Sequence, residues 1–254
     1  RSRRQRQMCI RDRSKSQVRK AGSTVRAYKI RHEVSIDEYQ QALDVISQYR
    51  SSVSVPLGKV GMGLRSFVGT VGVDAEVSQR LKRMDTIVEK LSIRESGLSL
   101  DRMVDVGGCR VVFAGNNLEE LRAFEQHIRC KWYEALQIKR CKDYVAQPRE
   151  SGYRAVHLVV KRDDRLVEIQ LRTQRMHQWA QMVEGLSATL GVNFKQDGGG
   201  TSVDRFARAL SKVHQGLDGM CELTAQDYDE LTRCYHDLQH LLIQGAREGG
   251  AGRD

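Results

Sequence analysis

No stretch of the chain approaches the ~18 consecutive apolar residues that a membrane-spanning helix needs, so the sequence excludes such a span. No apolar run follows the basic N-terminus, so no secretory signal is expected. The six cysteines (Cys9, Cys109, Cys130, Cys141, Cys221 and Cys234) form no CxxC pair and no regular framework. They read as reduced thiols of a cytoplasmic protein. Proline occurs only at Pro56 and Pro148, where it is expected to break local structure. The glycine-rich run GKVGMGLRS (58–66) lacks the spacing of a GxxxxGK[ST] phosphate loop and reads as a turn between helices. What remains is a soluble globular composition, 40% hydrophobic and 6% aromatic over 254 residues. That length suits one good-sized domain with extensions, or two small ones.

The net charge of +10 is unevenly placed. Eleven of the 42 basic residues and one of the 32 acidic residues lie within 1–30, which leaves 31 of each sign in the remainder. The body is therefore formally neutral. Residues 1–30 are expected to form a disordered basic tail, and the run QMCIRDRS within it is given no functional weight.

Hydrophobic spacing predicts a helix over 34–53, with Ile36, Tyr39, Leu43, Ile46 and Tyr49 inward and Ser35 as its cap. Pro56 and the following glycines are expected to end it. A second helical piece spans 85–91. RMVDVGGCRVVFAG (102–115) reads as a buried strand. Residues 118–130 read as a helix with Leu118, Leu121, Phe124 and Ile128 on one face. Residues 131–152 read as loop. VHLVVKRDDRLVEIQL (156–171) reads as a hairpin turning at Asp163-Asp164. In that register Val159 opposes Glu168 and His157 opposes Gln170. One face is then apolar (Val156, Leu158, Val160, Val167, Ile169, Leu171), and the other carries His157, Glu168, Gln170 and Arg172. Thr173 caps a helix with Met176, Ala180, Val183, Leu186 and Leu190 inward. Gly198–Gly200 form a flexible link to two further amphipathic helices. The first carries Phe206, Leu210, Val213 and Leu217; the second carries Tyr228, Leu231, Tyr235, Leu238 and Leu242 between Thr224 and Gly245. Strands set among helices give an α+β fold.

A solvated sheet face is commonly polar, but a His/Glu/Gln/Arg quartet converging on neighbouring strands is more site-like. Asp105, at the head of the 102–115 strand, adds a second carboxylate. Two hard oxygen ligands suit Mg²⁺ with substrate phosphates. Residues 131–175 hold eleven Lys/Arg against six Asp/Glu, a candidate polyphosphate clamp. Tyr153 could stack on a base.

These residues carry a resemblance. KDYVAQPRESGYRAVH (142–157) followed by EIQLRTQRMHQWA (168–180) is similar to the synthetase domain of RelA/SpoT alarmone synthetases, and RLKRMDTIVEK (80–90) and DVGGCR (105–110) resemble its upstream motifs. The resemblance covers about 78–195. It implies a nucleotidyltransferase-like synthetase core over 77–197, with a central mixed or antiparallel sheet flanked by helices. A helical region (31–76) would precede it and C-terminal helices (201–246) would follow. It implies ATP-dependent transfer of the β,γ-pyrophosphate to the ribose 3′-hydroxyl of GDP or GTP, without a hydrolase domain.

Carried over by position, the resemblance implies that Arg80 and Arg110 sandwich the adenine and that Lys82 and Lys90 hold the ATP phosphates. Asp105 and Glu168 bind Mg²⁺, and Glu168 also positions or deprotonates the attacking hydroxyl. Tyr153 stacks on the acceptor base, Lys142, Arg149 and His157 contact acceptor phosphates, and Gln170 and Arg172 brace Glu168. Arg149, Ser151, Gly107, Cys109 and Gly185 depart from residues common in the family. Other branches leave two acceptors open, the 3′ end of tRNA in a toxin and an adenosine nucleotide. A homo-oligomer through terminal helices and an antitoxin are further partners the family suggests; no membrane partner is expected. A catalytically dead binding module is the remaining alternative, and the intact Asp105/Glu168 pair argues against it. HDLQH (236–240) reads as a helix-surface histidine pair rather than a zinc site, since the residue after the first histidine is Asp.

Overall fold

The computed structural model describes residues 14–94, 97–132, 138–190 and 201–250. Three helices come first: α1 (Lys15–Arg26), α2 (Ile36–Ser52) and α3 (Ser54–Val71). Then follow β1 (Ala75–Leu81), α4 (Met84–Glu89), β2 (Gly107–Phe113), α5 (Leu118–Trp132), β3 (Arg140–Asp143), β4 (Val156–Arg162), β5 (Arg165–Thr173), α6 (Gln174–Leu190), α7 (Ser202–Leu217) and α8 (Ala225–Gly250). The five strands form one sheet in the order β1-β2-β5-β4-β3. Only the β2–β5 pair is parallel. This is the expected α+β fold, and of the two sheets the resemblance allowed, mixed or antiparallel, it has the mixed one.

The hairpin register is the one expected: Arg162 faces Arg165, Val159 faces Glu168 and His157 faces Gln170. Asp163 and Asp164 both take positive φ, 47° and 59°, the backbone a two-residue turn requires. Lys59 and Lys161 answer the two turn carboxylates at 2.7 and 2.6 Å. The apolar row of the hairpin, from Val156 to Leu171, is wholly buried. It packs on Leu57, Val60 and Leu64 of α3 and on Leu121, Phe124, Ile128 and Trp132 of α5. With one face sealed by two helices, the polar face is the side left for chemistry.

Several expectations need correction. Residues 14–26 are not a disordered tail: Ser14 caps α1 in a capping box with Gln17. Val18, Ala21 and Val25 of α1 are buried against a core that includes Ile46, Ile87, Leu91 and Leu100. Their three-to-four spacing is masked in the sequence by the basic residues between them. Residues 1–13 lie outside the described residues. The 58–66 run is not a turn but the middle of α3. Pro56 is the third residue of that helix, where a missing N–H costs no intrahelical bond. Gly63 lets Trp132 lie against the helix, since a Cβ there would sit 2.6 Å from the indole.

β2 begins only at Gly107, and Met103 and Val106 instead enter the core beneath α1 and α2. Within 131–152 an edge strand, β3, was not foreseen, because its RCKD sequence is largely exposed and shows no apolar alternation. Ile36 and Leu217, expected inward, are exposed; both lie in a terminal turn of their helix. Gly245 does not stop α8, which runs to Gly250. The glycines 198–200 lie outside the described residues. No helix among the described residues is long and apolar enough to cross a membrane.

The packing around α3 gives a paired expectation. Gly58→Ala has open space and should raise the melting temperature, since alanine gains about 0.5–1 kcal/mol over glycine inside a helix. Gly63→Ala should lower it, because forcing Trp132 aside costs roughly 1–3 kcal/mol. Thermal melts of both variants decide it; a stabilised Gly63→Ala would show that Trp132 yields freely.

Candidate active site

Residues directly opposite on neighbouring strands project to the same face. One row across the sheet therefore reads Lys142, His157, Gln170, Arg110 and Ser78. The next reads Arg140, Val159, Glu168, Gly108 and Arg80. Arg172 stands two residues beyond Gln170 on β5. All the strand residues singled out from the sequence thus share the polar face. Gly108 matters because it has no side chain. A Cβ there would meet only the Glu168 carbonyl oxygen, at 3.7 Å, so the floor between Arg80 and Glu168 is open.

Glu168 sits in a closed ring of hydrogen bonds. His157 Nδ1 donates to its Oε1 at 3.2 Å, and Gln170 Nε2 donates to its Oε2 at 2.8 Å. Gln170 Oε1 accepts from Arg172 Nη2 at 2.9 Å, and the same nitrogen reaches Tyr153 Oη at 2.7 Å. Tyr153 Oη lies 2.7 Å from His157 Nε2, which closes the ring. An ionised carboxylate only accepts, so Nδ1–H donates to Glu168, and Nε2 shares the remaining hydrogen bond with the Tyr153 hydroxyl. Burial pushes the Glu168 carboxyl up. His157, by hydrogen bond and charge, and the Gln170 amide outweigh that and leave it below its ordinary 4.5. Asp105 acts on it in the opposite direction, so the two carboxylates sense each other.

Asp105 is held differently. It lies in the turn before β2, and two lysines clamp it. Lys82 Nζ is 2.9 Å from Oδ2, and Lys90 Nζ is 3.2 and 3.1 Å from Oδ1 and Oδ2. Burial raises this carboxyl too; the two ammonium groups reverse the shift and bring it below 3.8. The backbone around the clamp is fixed from the N-terminal side. Arg50 Nε donates to Lys82 O at 2.6 Å, Lys82 N donates to Val106 O at 2.9 Å, and Ile87 and Leu91 anchor α4 and the turn after it.

The rim is cationic. Arg80 is exposed and Arg110 is half-buried. Burial, and then the neighbouring Arg172, push Arg110 below its ordinary value. Its Nε has no hydrogen-bond partner among the described residues. Arg149 lies over the Tyr144 ring at 4.4 Å and donates to its hydroxyl at 2.9 Å. Tyr144 in turn meets the edges of Tyr153 and His157. Lys142 is exposed beside it.

The sequence reading overlooked Tyr144 as a site residue although it lies within the KDY motif; an aromatic five residues before Arg149 was the available signal. It also overlooked Asp218 and Ser211, for which the sequence carries no signal. His236 and His240 are exposed. No group of three metal-ligating side chains occurs among the described residues.

The family profile described as "Region found in RelA / SpoT proteins" matches residues 79–197. The chain is similar to the GTP pyrophosphokinase of Escherichia coli (strain K12), 32% identical over 120 residues that cover 47% of this chain and 15% of that protein. It is similar to the GTP pyrophosphokinase YwaC of Bacillus subtilis (strain 168), 29% identical over 117 residues, 41% of this chain and 53% of that one. It is also similar to the guanosine-3′,5′-bis(diphosphate) 3′-pyrophosphohydrolase of Borreliella burgdorferi, 26% identical over 150 residues, 55% of this chain and 20% of that protein. The chain thus spans about a fifth of the length of the longer curated relatives it matches. Among solved structures, small alarmone synthetase 1 of B. subtilis bound to its product pppGpp shares the fold. It has a TM-score of 0.56 and 23% identity over 68% of this chain and 93% of that one. Small alarmone synthetase 2 of B. subtilis also shares it, with a TM-score of 0.56 and 19% identity over 67% and 93%. Residues 79–197 thus match the region found in RelA/SpoT proteins, and the mixed sheet that carries those motifs has the fold of the small alarmone synthetases.

Proposed function

We propose that the chain is a pyrophosphokinase that moves the β,γ-pyrophosphate of ATP to the ribose 3′-hydroxyl of GDP or GTP and releases AMP. The observation that carries this is an ionised carboxylate, Glu168, fixed by a closed hydrogen-bond ring on an open sheet face, with a second ionised carboxylate and a rim of cations beside it. Phosphoryl transfer asks little covalent chemistry of the protein and much positioning and charge neutralisation.

Glu168 orients the 3′-hydroxyl and takes its proton as that oxygen bonds to the β-phosphorus; the bond from that phosphorus to the α-phosphate oxygen breaks and AMP leaves. A carboxylate with a depressed pKa is a better hydrogen-bond acceptor and aligner than a base, so alignment is its larger contribution. Lys82 and Lys90, already beside the site, exchange Asp105 for triphosphate oxygens. Arg80 and Arg110 offer flat guanidinium surfaces to the adenine. Tyr153 and Tyr144 offer ring surfaces to the acceptor base, and Lys142, Arg149 and His157 lie where acceptor phosphates would be met. Gln170 and Arg172 brace Glu168.

The donor set fits Mg²⁺: two hard, ionised carboxylates that act on each other electrostatically, with remaining positions for water and phosphate oxygens. Asp105 and Glu168 would hold the ion, which when bound neutralises charge on the transferring phosphates.

The test uses γ-labelled ATP with Mg²⁺ and, in parallel, GDP, GTP, AMP or deacylated tRNA. Label is expected on GDP or GTP. Label on tRNA alone or on AMP would replace this acceptor, and label on none would sink the reading. Glu168→Gln keeps the side chain's size and should lower turnover by roughly 10²- to 10⁴-fold. Undiminished activity in that variant would remove Glu168 from the chemistry.

The depressed carboxyls also set a pH dependence. Both Asp105 and Glu168 bind protons less readily folded than unfolded. Their contribution to stability is full above their ordinary values of 3.8 and 4.5 and is lost as pH falls through the folded values. Urea midpoints should therefore fall on acidification below about pH 4.5, and Glu168→Gln should show a shallower fall than the parent chain. Identical slopes would mean that the carboxyl is not held ionised by its ring.

A further inference from the structure

Tyr153 closes the ring around Glu168, yet the turn that carries it is held by a helix outside the family-matched region. Gly152, with φ of 89°, lies against α7. A Cβ there would sit 2.7 Å from Ser211 Cβ and 3.1 Å from Ala207 O. The Gly152 carbonyl accepts a hydrogen bond from Ser211 Oγ at 2.7 Å, with Ser211 only 2% exposed. On the other side of Tyr153, Arg154 Nη1 donates to Asp218 Oδ2 at 2.7 Å. Arg154 is 3% exposed and Asp218 0%. The second Asp218 oxygen is taken by Arg175, the second residue of α6. Trp179 Nε1 donates to Ala207 O at 2.8 Å, and Trp179 packs beside Tyr153.

Covering an apolar flank does not require a fully buried carboxylate. Taking such an ion out of water costs several kcal/mol unless partners answer it. Here the partners are the arginine next to Tyr153 and the arginine that opens the helix after β5. Nearby His214 is pushed down to about 4, by burial first and then by Arg175, so its ring is neutral near pH 7, and among the described residues the charges that answer Asp218 are the two arginines. The bonds sit on both sides of one aromatic residue and reach it from 59 and 64 positions away.

We infer that α7 is a positioning element of the active site: Ser211 and Asp218 clamp the Gly152–Arg154 backbone and thereby fix Tyr153, and with it the acceptor side of the Glu168 ring. The proposal rests on the pyrophosphokinase reading only in naming the acceptor nucleotide; the clamp itself can be read without substrate.

The experiment compares the full chain with Ser211→Ala and Asp218→Asn in three measurements: amide hydrogen exchange, thermal melting, and separate KM values for ATP and for the nucleotide acceptor. Ser211→Ala is expected to speed exchange across 152–157 and leave β2 and β5 unchanged. It should raise the acceptor KM about tenfold, the effect of losing one buried hydrogen bond, with the ATP KM within about twofold. Asp218→Asn should show the same pattern more strongly; if it does not fold, Ser211→Ala still decides. Unchanged exchange at 152–157 overturns the proposal. So does faster exchange throughout the sheet, or an equal loss for both substrates, which would make α7 a structural cover. Should the parent chain use no nucleotide acceptor, the reading of function fails, and the exchange data still decide whether α7 holds the turn.

Discussion

Everything at the site depends on keeping Glu168 ionised and still while most of its surroundings are dry. Its side chain is 14% exposed, and burial alone would drive it toward the neutral acid. The ring through His157, Tyr153, Arg172 and Gln170 prevents this, because each member satisfies the next. Four of its five residues come from one hairpin, so a two-residue turn with a fixed register sets most of the geometry. The fifth, Tyr153, enters from the preceding turn and is the member that needs outside support. A ring of this kind is all-or-none: removing one partner strands two buried polar atoms rather than one contact.

The second carboxylate is stabilised by charge instead of by a hydrogen-bond ring. Asp105 holds two ammonium groups close to the site. On the proposed reading these are the groups that later turn to phosphate, so the resting structure stores its phosphate ligands on the carboxylate they will leave. The rest of the polar face is crowded with cations: burial pushes Arg110 down, and Arg172 and Arg80 add to that push. Such an array is favourable only when an anion neutralises it. The sheet tolerates the crowding because its other face is sealed by α3 and α5. On its two flanks the site is braced by helices of different origin: the N-terminal helices hold the backbone of Lys82 and α4, and α7 holds the turn of Tyr153.

Much of this was legible in the chain. Alternation in 156–171 announced two strands, and the Asp163-Asp164 turn fixed which side chains face which. Because strand period and turn length are local, they gave the apolar and polar faces correctly. Glu168, Gln170, Arg172 and His157 were therefore placed together before any tertiary information. The misreadings arose where a local rule was overridden. The glycines of α3 looked like a turn because glycine weakens helices in general; here Gly63 is needed for the approach of Trp132. The basic N-terminal segment looked unstructured because its few buried residues are small and are outnumbered by the charges of 1–30. β3 was missed because an edge strand need not alternate.

By itself, then, the sequence determined the strand faces, the hairpin register and the set of side chains that would line one surface, since all three follow from backbone periodicity over a few residues. The tertiary structure decided that Asp105 stands near Glu168 with two lysines on it, that Gly108 leaves the floor between Arg80 and Glu168 open, and that Asp218 reaches back 64 positions to Arg154. Those pairings depend on which helices cover which face of the sheet. That choice is made by packing of the whole core, and no local spacing in the chain encodes it.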